Sequence, residues 1–252
     1  MDDLLVVSSL CKSFDGVTAL ADVSFAVPRG CVTGIVGGNG AGKSTLFDII
    51  GGFEKANSGE VHLDGTIVTG WKAERLARHR CGIIRSFQEV RVFPNLSLLD
   101  NVLAALRFTA GTSLCGVFRR RAIRRELNLQ REFAATSLRV VGLAGIGHRI
   151  AGQLSYGQKK LLEIARCLAA PQKLLMLDEP FAGVHRSLYP AIFAAVDLAR
   201  TRGKTVLLIE HDQEVVQTLC ERVVHLAAGR VVGVENGRSN PPDAPDEVEV
   251  TR

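Results

Sequence analysis

The chain has 252 residues, 46% of them hydrophobic and 23% charged, with a net charge of +5. That is an ordinary globular balance, long enough for one large α/β domain or for a core plus a lobe. No apolar run approaches the roughly 20 residues of a membrane-crossing helix, and Met1-Asp2-Asp3 lacks the basic-then-apolar opening of a signal peptide. The chain is therefore expected to be cytosolic, with any membrane role coming through a partner.

In chain order, the stretch from Leu4 to Val27 reads as short strands with a turn at Phe14-Asp15-Gly16. The run Cys31 to Val36 has strand composition and the run Thr45 to Ile50 suits a helix. Glu60 to Val68 reads as further strand with a turn at Asp64-Gly65, so an antiparallel patch is expected around the central strand. Leu98 to Val141 reads as a long helical stretch in which Leu99, Val102, Leu103 and Leu106 recur at helical spacing. It carries the arginines Arg119, Arg120, Arg121, Arg124 and Arg125. No aromatic residues interleave with them to stack bases, so a solvated helix face is expected in preference to a nucleic-acid surface. A surface near anionic lipid headgroups is a third reading of that run.

Lys173 to Asp178 and Thr205 to His211 then read as buried strands that end in ionisable residues, with a helix over Pro190 to Arg202 between them. The alternation predicts a doubly wound parallel sheet with ligands beyond the C-terminal strand ends. Residues 239–252 are acidic and Pro-rich and are expected to form a disordered tail. The six cysteines, Cys11, Cys31, Cys81, Cys115, Cys167 and Cys220, make no Cys-x-x-Cys pair and no zinc spacing with a histidine, so free thiols are expected.

The most informative segment is Gly37-Gly38-Asn39-Gly40-Ala41-Gly42-Lys43-Ser44. It fits Gly-x-x-x-x-Gly-Lys-Ser between a strand and a helix, the setting a phosphate-binding P-loop requires. Gly37, Gly40 and Gly42 open backbone angles closed to other residues and permit close approach to a ligand. Successive N–H groups then form an anion nest at a helix N-terminus. Lys43 places a charge on the β- and γ-phosphates, and the Ser44 hydroxyl is suited to Mg²⁺. Residues 37 to 45, including Asn39, Ala41 and Thr45, are the candidate nucleotide-binding loop. Asp178 and Glu179 close an apolar strand: the first carboxylate is suited to the Mg²⁺ shell, the second to polarising water for in-line attack.

With these motifs placed, the chain resembles the ABC-type ATPases. Leu154-Ser155-Tyr156-Gly157-Gln158 and the following Lys159 to Arg166 resemble their signature segment. Gln88 in Arg85-Ser86-Phe87-Gln88 is similar to their glutamine loop, His211 to their switch histidine, Phe14 to the aromatic that stacks on adenine, and Asp178-Glu179-Pro180 to the end of their second Walker strand. The likeness spans Leu4 to Gly237. It implies a P-loop NTPase (RecA-like) parallel core with an antiparallel β subdomain and an inserted helical subdomain at about 86–156, all within one ATPase domain over 1–238. ATP and Mg²⁺ are the implied cofactors, with Ser44, Gln88 and Asp178 near the metal and Glu179, His211 and Lys43 catalytic. The resemblance further implies a head-to-tail pair in which Ser155, Gly157 and Gln158 of one ATPase reach the γ-phosphate on the other's P-loop.

Within that superfamily the chain is similar to the ATP-binding subunits of branched-chain amino acid importers. The likeness rests on Arg85 to Phe93, on the insertion at about Arg107 to Glu132, and on Tyr156-Gly157-Gln158 running into Leu162 to Cys167. The implied partners are a second ATPase subunit and membrane permease subunits, at the cytoplasmic face of the membrane, with no direct contact to cargo or nucleic acid. An ABC ATPase for another cargo or direction, or a soluble ABC-type nucleic-acid or translation factor, is the alternative. Two positions depart from the family: His185-Arg186 stands where the loop after the glutamate normally offers Asp or Asn, and the C-terminus is acidic where relatives end in a helix.

Overall fold

The computed structural model describes residues 2–106 and 120–237. Arg119, Cys115, part of the insertion and the acidic tail lie outside them, as do the side chains of residues 120–123.

Two sheets organise the chain. The first is antiparallel: β1 (Asp3–Phe14), β2 (Val17–Pro28), β4 (Ser58–Leu63) and β5 (Thr66–Ile67), in the order β2-β1-β4-β5. Its two hairpins turn at Asp15-Gly16 and Asp64-Gly65, where all four residues have positive φ, between 46° and 84°. Such mirror-image turns match the right-handed twist of the strands, and Asp-Gly tolerates them. The second sheet contains β3 (Val32–Val36), β6 (Ile83–Arg85), β7 (Leu174–Asp178), β8 (Thr205–Ile209), β9 (Arg222–Ala227) and β10 (Arg230–Asn236), in the order β10-β9-β3-β8-β7-β6. The strands from β9 to β6 are parallel and β10 joins antiparallel at the edge.

The central strands explain their own sequence. Every residue of β7 and β8 is buried, as expected of parallel strands covered on both faces. Alternation then sorts their side chains. Leu174, Met176, Leu207 and Ile209 join Ile35 in a core beneath the antiparallel sheet and α1 (Lys43–Ile50). Leu175, Leu177, Val206 and Leu208 face a second core built from α5 (Tyr156–Ala169), α6 (Tyr189–Thr201) and α7 (Gln213–Leu219).

Three elements differ from the sequence expectation. The expected helix over Leu98 to Val141 is not one rod: its described part consists of α3 (Leu98–Leu103), capped by Ser97, and α4 (Arg120–Val140). After α3 the bonds shorten to Ala105 N to Val102 O and Leu106 N to Leu103 O, the tightened pattern with which helices end. Leu98 and Val102 are nevertheless fully buried, and Leu99, Leu103 and Leu106 pack against the same core. Helix α1 starts at Lys43 rather than Thr45, because Leu46 N already donates to Gly42 O at 2.9 Å. Strand β8 stops at Ile209, because the Glu210 carboxylate turns back to accept from the backbone N–H of His211. Among the described arginines, Arg124 and Arg125 are exposed.

The loop between β3 and α1 is wedged against its surroundings. A Cβ on Gly42 would sit 2.5 Å from Ala19 O, and one on Gly37 would sit 2.2 Å from Leu226 O. Gly42 also has φ +100°. The turn after β9 braces the loop from outside, since Gly229 N donates to Ala41 O at 3.1 Å and Gly229 O accepts from Ala21 N at 2.8 Å. Gly229 has φ +73°, and a Cβ there would lie 2.6 Å from Ala19 O. Gly229→Ala should lower unfolding free energy by about 1–3 kcal/mol in denaturant melts, the usual cost of a strained backbone position.

Candidate active site

The parallel strands β3, β8 and β7 are neighbours, so the segments leaving their C-terminal ends converge. Helix α1 leaves β3 with Lys43, Ser44 and Thr45 as its first turn, where the N–H groups have no partner within the helix. Lys43 is buried, and its Nζ donates to Gly37 O at 2.9 Å and to Gly38 O at 2.8 Å. Burial lowers its pKa from the ordinary lysine range, while the nearby Glu179 and Asp178 push it back up. The loop, the lysine and both carboxylates thus share one electrostatic site. The Ser44 side chain is exposed, as are Gly38, Asn39 and Gly40 along the loop, whereas Ala41 packs inward.

Asp178 is the last residue of β7 and is buried. Its Oδ2 accepts from Arg85 Nη2 at 2.8 Å, and its backbone N–H donates to Ser86 Oγ at 3.1 Å. Glu179 follows at φ 46°, an unusual conformation for a residue with a side chain. Its backbone N–H still bonds Ile209 O at 3.1 Å, and its Oε1 lies 2.9 Å from His211 Nε2. A left-handed residue at a strand end re-aims a side chain, and strain of this kind is costly unless the surroundings enforce it. Here they enforce it: neighbouring strands carry the carboxylate and the imidazole into hydrogen-bond contact.

Glu210 supports that contact. It is buried, and its carboxylate accepts from Phe181 N at 3.1 Å and His211 N at 3.0 Å. Burial raises its pKa, and backbone donors at Phe181, His211 and Asp212 lower it. The side chain knits the segment after Glu179 to the segment holding His211. Sequence reading recognised an ionisable pair at the end of β8 but not this role, whose signal is a carboxylate inside an otherwise apolar strand ending.

The glutamine loop is held at both ends. On α5, the buried Lys160 donates to Phe87 O at 3.0 Å, and the buried Glu163 accepts from Phe87 N at 3.3 Å and Arg91 N at 3.4 Å. Arg166 Nη1 donates to Arg91 O. Burial raises the Glu163 pKa, and Lys160, 3.9 Å away, counters it. On α3, Asn101 grips Phe93 through both its N–H (2.8 Å to Asn101 Oδ1) and its carbonyl (3.0 Å from Asn101 Nδ2). Gln88 itself is exposed between these clamps. Lys160, Glu163 and Asn101 were not singled out from sequence as clamping residues; for the first two the available signal is a charge pair at i, i+3, with Glu163 interrupting the apolar run Leu161 to Ala165 and Lys160 preceding it.

Ser155 caps α5 in a reciprocal box with Gln158: Gln158 N donates to Ser155 Oγ at 3.3 Å and Ser155 N to Gln158 Oε1 at 3.1 Å. Gly157 is close-packed, since a Cβ there would lie 2.9 Å from Leu188 Cδ1. Gly183, at φ +69°, faces the Tyr156 ring at 3.0 Å in the same sense. The loop after Glu179 therefore packs on the signature of its own chain. His185 caps the turn that follows, its Nδ1 accepting from Ser187 N at 3.3 Å. Among the described residues, no hydrogen bond or ion pair links Ser155, Gly157 or Gln158 to residues 37–45. Phe14 stands apart as well, half exposed at the hairpin tip with Lys12 Nζ 4.5 Å from its ring centroid.

A Gly-rich loop opening a helix, a buried lysine inside it and two carboxylates closing β7, separated from β3 by β8 in the same parallel sheet, define a P-loop nucleotide-binding fold. The comparison with known proteins agrees: residues 20–182 match the ABC transporter model, and the chain belongs to that family, whose members are ATPases. Its described helices include none long and apolar enough to cross a membrane. The chain is 37% identical over 228 residues to the high-affinity branched-chain amino acid transport ATP-binding protein BraF of Pseudomonas aeruginosa, covering 90% of this chain and 89% of that one. It is 36% identical over 244 residues to the methionine import ATP-binding protein MetN of Rhizobium etli, covering 96% and 63%. A nucleotide-free ATP-binding cassette from an ABC transporter superposes with a TM-score of 0.78 at 33% identity, covering 94% and 92%. The dimeric post-hydrolysis cassette MJ0796 bound to ADP and Pi gives 0.77 at 26% identity, covering 94% and 100%.

Glu210→Ala should cost on the order of 3 kcal/mol of stability, because backbone donors lose a buried acceptor. Thermal melts should also show that Glu210→Gln, which keeps one acceptor oxygen, loses less.

Proposed function

We propose that this chain is the ATP-hydrolysing subunit of a membrane importer for branched-chain or related amino acids, working at the cytoplasmic membrane face as a peripheral partner of permease subunits. The observation that carries the hydrolytic reading is the 2.9 Å contact between Glu179 and His211 beside Lys43. A base must lie within hydrogen-bond reach of the proton it takes, and an adjacent group must orient the water. The branched-chain cargo is supported by the similarity to BraF over nine-tenths of the chain. MetN supports the second reading, an importer of another amino acid, at nearly equal identity.

The residues divide the work as follows. The amides of Gly38 to Thr45 and the Lys43 ammonium hold the β- and γ-phosphates, and Phe14 offers its ring to adenine. The Ser44 hydroxyl and the Asp178 carboxylate are hard oxygen donors of the kind that hold Mg²⁺ together with phosphate oxygens, and Gln88 follows two residues after Ser86, which accepts from Asp178 N. Mg²⁺ supplies charge neutralisation on the transferring phosphate. Glu179 takes a proton as water attacks the γ-phosphorus; the bond to the β-phosphate oxygen breaks, leaving ADP and phosphate. His211 orients that water and stabilises the γ-phosphate oxygens.

Among the described residues, Ser155, Gly157 and Gln158 make no hydrogen bond or ion pair to their own P-loop, which leaves the exposed cap at the start of α5 available to a second ATPase subunit. An ATP between two such subunits adds its affinity for both to the closed state, and hydrolysis removes it. Glu179→Gln should bind ATP, accumulate as a dimer on size exclusion with ATP and hydrolyse about 10²–10⁴-fold more slowly. Turnover at the unmodified rate would remove Glu179 from the role of base.

A further inference from the structure

Arg85 is an unusual residue for its place. It ends the apolar strand β6, its side chain is 7% exposed, and it pairs in register with Met176 of β7. Its guanidinium bonds two carboxylates at once: Nη2 to Asp178 Oδ2 at 2.8 Å and Nη1 to Asp48 Oδ1 on α1 at 2.6 Å. Three rings surround it, with the centroids of Phe47 and Phe53 each 5.5 Å and Phe87 5.4 Å from Cζ. Arg85 Nε is buried without a hydrogen-bond partner among the described residues. Such a cation is costly to desolvate and is held only because its carboxylates are fixed.

Rings on this scale favour a planar cation over their faces. The Arg85–Asp178 pair is shielded from water, which strengthens it, whereas the Asp48 side chain is 42% exposed. A guanidinium is the group that can bond two carboxylates in fixed directions at once; a lysine ammonium supplies a charge but not the fork. Beside it, Ser86 Oγ accepts from Asp178 N, and Ser86 N donates to Met176 O at 2.9 Å. The first residues of the glutamine loop are therefore welded to the end of β7 through both backbone and side chain, and to the phosphate-binding helix through Asp48.

We propose that Arg85 is a positioning residue for the metal-nucleotide site: it fixes the Asp178 carboxylate for Mg²⁺ and locks it to α1 and the glutamine loop. The inference rests on the reading of Asp178 as a Mg²⁺ ligand. Partners that orient a ligating carboxylate typically change metal affinity by about 10–100-fold when removed. Arg85 touches no nucleotide in this scheme, so its effect should fall on metal-dependent binding and spare the P-loop grip.

The test is calorimetric binding of a β,γ-imido ATP analogue, with saturating Mg²⁺ and with excess EDTA. The ratio of the two affinities measures metal coupling without turnover. Arg85→Gln should reduce that ratio about tenfold or more, leaving the EDTA affinity within about twofold. Arg85→Lys should lose part of it, and Asp48→Asn should lose less in the same direction. A residue needed only for folding would weaken both affinities together. An unchanged ratio in Arg85→Gln, or equal loss with and without Mg²⁺, overturns the proposal; if Arg85→Gln does not fold, Arg85→Lys decides by the same criteria. Asp178→Asn separates the two levels. If it leaves the ratio unchanged, the metal-ligand reading fails; if it collapses the ratio while the Arg85 variants do not, the Arg85 proposal fails alone.

Discussion

The order of three parallel strands is the constraint on which the site depends. Because β3, β8 and β7 are adjacent, the helix leaving the first, the histidine after the second and the carboxylates closing the third meet at one sheet edge. Each strand is too buried to slip: a one-residue shift would turn Leu175 and Leu177 into the core that Leu174 and Met176 occupy, and the reverse. The apolar cores on the two faces therefore fix the register, and the register fixes where Asp178, Glu179 and His211 stand.

The charged groups stay in place because each is bonded from several sides. Lys43 is clasped by carbonyls of its own loop, Asp178 by Arg85 and the backbone link to Ser86, and Glu210 by amides from the loop after Glu179 and from His211. A buried polar network rigidifies its surroundings when its members are hydrogen-bonded, and an unpaired member is costly. The glutamine loop is held by Lys160, Asn101 and one carboxylate oxygen of Glu163, whose Oε2 has no hydrogen-bond partner among the described residues. Helices α3 and α5 are thus both joined to that loop by buried polar bonds.

The parts of this arrangement set by local chemistry were legible in the sequence. Gly37 to Ser44 announces its loop because close backbone approach demands glycine at Gly37 and Gly42, and Gly42 also takes a positive φ. The apolar runs before Asp178 and Glu210 announce buried parallel strands. The turns at Asp15-Gly16 and Asp64-Gly65 are equally local. What was not legible depends on residues distant in sequence. Arg85 meets Asp178 across 93 positions and Lys160 meets Phe87 across 73; no spacing rule links them. The break between α3 and α4 was missed for a related reason, since periodicity in Leu99 to Leu106 reports a face and not where the helix stops. Among the described residues, Phe14, Gln88 and the signature residues make no hydrogen bond or ion pair to residues 37–45, and their roles rest on resemblance.

The proposed chemistry depends on the loop of Gly37 to Thr45, with Lys43, gripping a chain of phosphates. Titration calorimetry of the purified protein with AMP, ADP and ATP tests it most directly. Binding of ADP and ATP should be saturable and binding of AMP weak or undetectable, because the affinity resides in the outer phosphates. Equal affinity for all three, or no heat with ATP, would contradict it.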